Sequence, residues 1–254
     1  MTLYDDYFDE AARRLSALRE GSAAAIDDAA DLLVRAHLDG RRVFVFGSGH
    51  SALLALDVCV RAGTLATFNP VVVPGLLPSD YPYLRGALLE RVSGIAAPVL
   101  DTTGVAADDC LIVISNSGRN AVPVEMAIEA RARGLSVIAV TGLETASAEP
   151  SRHPSGQRLH ELADVVIDTH TPYGDAGVSS DALPTPVGPL STLLGSAALH
   201  ALSVSVTEKL LAAGEIPPVL ASGNVAGGGR HSMEVLARHR AQVTYLGWMP
   251  QDPR

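Results

Sequence analysis

RRVFVFGSGHS (residues 41–51) and CLIVISNSGRNAVPVEMAIEARARG (110–134) share one plan. Each opens on a short, wholly apolar strand (Val43–Phe46, Cys110–Ile114) and runs through a small polar turn into a helical stretch (Ala52–Ala62, Ala121–Arg133) that a glycine stops. SVIAVTG (136–142) and ADVVIDT (163–169) repeat the strand part more weakly, and Asn69–Val73 adds a further candidate. Strands that are apolar along their whole length and alternate with helices indicate a parallel sheet covered on both faces. The fold class is therefore α/β. Two helices precede it, over 4–19 and 22–39, with Ser22 at a capping position and Gly40 as the stop. Tyr83–Val92 and Leu190–Ala213 read as helices, and a short one starts near His231. We expect one domain over 1–254: N-terminal helices to residue 40, an α/β core over 41–213, and a C-terminal extension over 214–254.

Composition narrows the partners. The 254 residues are 47% hydrophobic and 19% charged, as in an ordinary globular chain, and the net charge is −9. Nucleic acid and anionic membranes both want a basic face, so neither is expected. Cys59 and Cys110 sit in apolar segments without metal spacing, which suits a reducing, cytoplasmic setting; no metal or cofactor is expected. Between Asp181 and Glu208 the only titratable side chain is His200, but Pro184, Pro186, Pro189 and many serines make this a buried helix rather than a membrane span.

Both turns have the chemistry of an anion site. A helix N-terminus presents free N–H donors and a partial positive charge. In the first turn, Gly47 and Gly49 let backbone approach a ligand, Ser48 offers a hydroxyl, and Ser51 can cap the helix. In the second, Ser115, Asn116, Ser117 and Gly118 can surround an anion, Arg119 adds charge and Asn120 can cap. GSGHSA also fits a dinucleotide fingerprint, but no carboxylate follows the next strand before Asp80, and no Walker lysine is present.

FGSGHS (46–51), ISNSG (114–118), SRHPSG (151–156), PYGDA (172–176) and VGPLST (187–192) together resemble the sugar isomerase (SIS) domain family, in particular a stand-alone bacterial group of it. The resemblance covers nearly the whole chain. It implies a flavodoxin-like, five-stranded parallel sheet, a phosphorylated sugar bound by Ser48, Ser115 and Ser117, and a homodimer or homotetramer. The function it implies is aldose–ketose isomerisation of a sugar phosphate. Etherase or deaminase chemistry on an amino-sugar phosphate and non-catalytic sensing are the alternatives. Phosphoheptose isomerases, similar in outline, carry a glutamate on the helix after the first loop and a histidine on the late helix. The matching region here reads Asp57-Val-Cys-Val-Arg61, and His200 lies near the second position.

Isomerisation needs a base and an acid. His50, inside the first loop, is a candidate ligand contact. Glu125 is either a base or a complement to its helix dipole. His153 and Asp175 occupy two overlong connections (142–156 and 169–189) that can act as lids, with a turn-stabilising role equally open to Asp175. His200 is either a core histidine or a catalyst. Glu90, beside Arg91, reads as part of a solvated face.

Overall fold

Every side chain of VFVFG is buried, because this strand lies inside a sheet covered on both faces. The computed structural model describes residues 2–246. The chain runs α1 (Leu3–Gly21), α2 (Ala23–Leu38), β1 (Val43–Gly47), α3 (His50–Val58), β2 (Phe68–Val71), α4 (Tyr83–Leu89) and α5 (Ala96–Thr103). It continues through β3 (Cys110–Ile114), α6 (Ala121–Ala132), β4 (Ser136–Thr141), α7 (Leu143–Ala148), α8 (Leu159–Leu162) and β5 (Val165–Asp168). A hairpin, β6 (Ala176–Val178) and β7 (Val187–Pro189), then leads into α9 (Ser191–Ala212) and α10 (Gly228–Arg238).

The main sheet is five-stranded, in the order β2-β1-β3-β4-β5, and all its pairings are parallel. This is the expected flavodoxin-like order. Alternation along each strand divides the core. Val43, Val45, Ile112, Ile114 and Val140 face α2, α3 and α9. Phe44, Phe46, Leu111, Val113 and Ala139 face the layer that includes α5 and α6. After β1 the chain moves outward to β2; later it returns to the other side of β1 as β3. That reversal makes a switch point, where open α/β sheets hold their ligands. Register places Gly47 opposite Ile114, so the two turns leave adjacent strands side by side, about 4.8 Å apart.

Several expectations change in detail. The third helix starts at His50 and ends at Val58, because Val60 takes a left-handed φ of 54°. Ser51 therefore lies within its first turn, and Gly49 is the cap residue. Helix α5 adds to the helices read from the sequence, which had none over 96–103. Its first amides are held by a carboxylate from α6. Ser22 holds the cap position but donates its hydroxyl to the Asp168 carbonyl, tying the α1–α2 junction to the end of β5. Beyond α9, Leu65 bridges Val219, and Val235 and Leu236 of α10 pack on Ala66 and Leu220. No helix among the described residues is long and apolar enough to cross a membrane.

Candidate functional site

Loop 47–51 is tight because α3 begins at once. A Cβ on Gly47 would stand 2.3 Å from the Ser51 carbonyl oxygen, so only glycine fits there. Gly49, at φ 56°, donates its N–H to the Leu76 carbonyl at 2.8 Å. Ser48 is 4% exposed and donates its hydroxyl to Glu90 at 2.6 Å. Glu90 receives a second hydrogen bond, 2.7 Å from the Asn120 amide on the other loop. The solvated role expected for Glu90 is thus corrected: it stands at the C-terminal end of α4, half-buried, and joins the two loops. The separation of 42 residues from Ser48 and 30 from Asn120 hid this contact from local sequence patterns.

Loop 115–120 is held differently. Ser115 is buried; its N–H goes to Val140, and its hydroxyl oxygen accepts from the Gly118 N–H at 3.2 Å. The Asn116 carbonyl accepts from Gly142, and the Gly118 carbonyl from Leu159. Among the described residues, the N–H groups of Asn116, Ser117, Arg119 and Asn120 meet no protein acceptor, nor does the Ser117 hydroxyl make a hydrogen bond. These open donors sit at the N-terminus of α6, where the helix field favours an anion. Asn120 occupies the cap position, yet its side chain serves Glu90 and Arg152 instead of the helix.

On the α3/α9 side, His50, Ser51, Asn116, Thr169 and Ser191 line a small cleft. The Asn116 side-chain oxygen is buried beside Gly142 without a hydrogen-bond partner among the described residues. A buried acceptor left open costs about 1–3 kcal/mol unless a donor reaches it. His50 is exposed at the rim, its ring edge-on to Tyr83 with centroids 6.2 Å apart.

The remaining candidates separate into contacts near the loops and contacts away from them. Arg119 pairs with Glu149 at 2.8 Å, and Tyr173 donates to the same carboxylate at 2.6 Å. That hydrogen bond and the nearby arginines hold Glu149 below the usual carboxylate range. His153 accepts and shares hydrogen bonds with Ser155 in its own turn, next to Arg152. Asp175, with φ 79°, takes the Leu190 and Ser191 N–H groups and the Ser191 hydroxyl, so it caps α9. Glu125 accepts from the N–H groups of Gly94, Ile95 and Ala96 and so caps α5, away from both loops. His200 is neither enclosed nor at the loops. Its Nε2 lies 2.9 Å from Asp57, which also binds Ser196 and Arg61. It stands five residues beyond the cleft residue Gly195, roughly 7.5 Å along α9. Burial pushes both cysteine thiols up, Cys110 to about 12, so neither is a ready nucleophile.

Open donors and a bridging carboxylate at the switch point define a doubly wound α/β protein with its crevice at the carboxyl edge. Comparison with known proteins agrees. Residues 6–142 match the SIS domain. A UPF0309 protein of Streptomyces coelicolor is 42% identical over 240 residues, covering 94% of this chain and 96% of that protein. Among solved structures, phosphoheptose isomerase from Neisseria gonorrhoeae aligns with a TM-score of 0.55 at 18% identity, covering 79% of this chain and 95% of its own. The sugar isomerase domain of an RpiR transcription factor from Sphaerobacter thermophilus reaches 0.51 at 14% identity, covering 94% and 98%. The chain belongs to the SIS domain family and, within it, to the UPF0309 proteins.

Proposed function

We propose that this protein binds a sugar phosphate at the switch point and interconverts its aldose and ketose forms. The observation that carries this reading is the neighbourhood of open amides on loop 115–120 with Glu90, a carboxylate that both loops hold. The phosphate takes the N–H groups of Asn116, Ser117, Arg119 and Asn120, with the hydroxyls of Ser115 and Ser117; Gly118 shapes the turn. Ser48 acts through Glu90, not on the phosphate. A sugar hydroxyl supplies the donor that Asn116 lacks.

Glu90 takes the proton from C2 of the aldose, and the electron pair forms the C1–C2 double bond of an enediol. His50 donates a proton to the carbonyl oxygen at C1. The proton on Glu90 then returns to C1, and the C2 hydroxyl gives its proton to His50 as the ketone forms. His153, Asp175, Glu125 and His200 fall outside this set, because each is engaged in a local turn, a helix cap or the Asp57 pair.

Uncovered apolar residues on α3 and α9, including Leu53, Leu56 and Val204, with Val60 just past the end of α3, support assembly with copies of the same chain. Sedimentation should read a dimer or tetramer.

The deciding experiment screens pentose, hexose and heptose phosphates by NMR in deuterated water. Deuterium should enter at C2 of one bound aldose phosphate. Binding without exchange or turnover favours a sensor; no binding rejects the reading altogether.

A further inference from the structure

The rim of the site carries guanidinium groups that the donor set of the phosphate does not include. Beyond Asn120 three arginines gather, in a chain whose net charge is −9. Arg152 donates to the Asn120 side-chain oxygen at 2.8 Å, and its backbone N–H binds the Arg119 carbonyl at 2.7 Å. Arg91 follows Glu90 directly and is exposed. Of the three, Arg119 has a carboxylate partner, Glu149. Among the described residues, Arg152 makes no ion pair, and the Arg91 side chain makes neither an ion pair nor a hydrogen bond. Partial burial, then the charges of Arg119 and Arg91, push Arg152 below the usual arginine range, and Glu90 and Glu149 do not offset them. A guanidinium in that setting lacks an anion.

Contacts run from Ser48, buried on the floor, through Glu90 and Asn120 to Arg152, exposed at the rim. Four amides and two hydroxyls already serve the three terminal oxygens of a phosphate, so the Arg152 guanidinium, held on the Asn120 side chain, is open to another acidic group. We propose that Arg152 and Arg91 form a second anion subsite, and that the ligand is a sugar phosphate carrying a second acidic group, a carboxylate or another phosphate. This rests on the sugar-phosphate reading above and narrows it to a class of substrate. Planar guanidinium groups suit both acids, because their paired N–H donors match carboxylate and phosphate oxygens.

Calorimetry tests the subsite with two pairs of probes: glucose 6-phosphate against 6-phosphogluconate, and fructose 6-phosphate against fructose 1,6-bisphosphate. The wild type should prefer the doubly acidic member of at least one pair by tenfold or more. In Arg152→Gln that ratio should fall below threefold. Should Arg152→Gln melt far below the wild type, Arg91→Gln, at an exposed side chain without a hydrogen bond or ion pair among the described residues, carries the same test and must also reduce the ratio. Equal affinities within both pairs overturn the second subsite while leaving the phosphate site standing, as does a ratio that survives both substitutions. Failure of all four probes to bind overturns both readings together.

Discussion

Loops 47–51 and 115–120 leave adjacent strands, both rich in serine, glycine and small polar residues, yet their donors have different fates. In the first loop, the Ser48 hydroxyl is committed to Glu90, the Gly49 N–H to Leu76 and the Ser51 N–H to the Ser48 carbonyl, which leaves the His50 N–H and the Ser51 hydroxyl without partners among the described residues. In the second, four backbone N–H groups and the Ser117 hydroxyl remain open. Similar composition therefore conceals a division of labour. One loop positions a carboxylate, and the other leaves most of its backbone donors open.

That division can be broken in graded steps. Removing the carboxylate should have the largest effect: Glu90→Gln lowers C2 proton exchange by about 10²–10⁴-fold, read by NMR, with a smaller change in affinity. Ser115→Ala combined with Ser117→Ala should weaken sugar-phosphate binding by about 10²–10⁴-fold in calorimetry, since each hydrogen bond to a charged group contributes about 1.5–3 kcal/mol. Ser48→Ala supplies the contrast. Its exchange rate should fall further than its affinity; the reverse order would show that Ser48 touches the phosphate and would erase the difference between the loops. Gly47→Ala forces a Cβ to 2.3 Å from the Ser51 carbonyl and should lower stability by about 1–3 kcal/mol, seen as a reduced melting temperature.

The smallest effect concerns a second carboxylate, Asp57, which marks the boundary of the site. Burial pushes its pKa up, but hydrogen bonds from His200 and Ser196 and the charge of Arg61 outweigh this and lower it. A lowered folded-state pKa stabilises the protein above the unfolded value, near 4, and that gain disappears as pH falls through the folded-state pKa. Asp57→Asn should cost less than about 1 kcal/mol at neutral pH, with the gap to wild type closing in acid, measured by denaturant melts across pH. Sugar-phosphate binding should be unaffected. A large loss of exchange activity in this variant would instead place the Asp57–His200 pair inside the reaction.

Much of this was legible in residues 41–51 and 110–134. Wholly apolar runs such as Cys110–Ile114 are short, bounded by polar turns, and match the observed strand end to end. Helix α5 escaped because its N-terminus is completed by Glu125, distant in sequence, and not by a local cap. Glu90 escaped for the same reason. Beside Arg91, on a segment with exposed Leu84 and Leu88, nothing local distinguishes it from a solvated glutamate.

Hydrophobic periodicity and the glycine-bearing turns by themselves determined the α/β class, the parallel sheet and the loops at its edge, since each depends on neighbours within a few residues. Only the tertiary structure decided which donors stay open, which carboxylate the loops hold, and where the rim arginines gather. Those outcomes depend on which side chains fill the remaining hydrogen-bond valences, and their partners lie on other elements, commonly some 30 residues or more away.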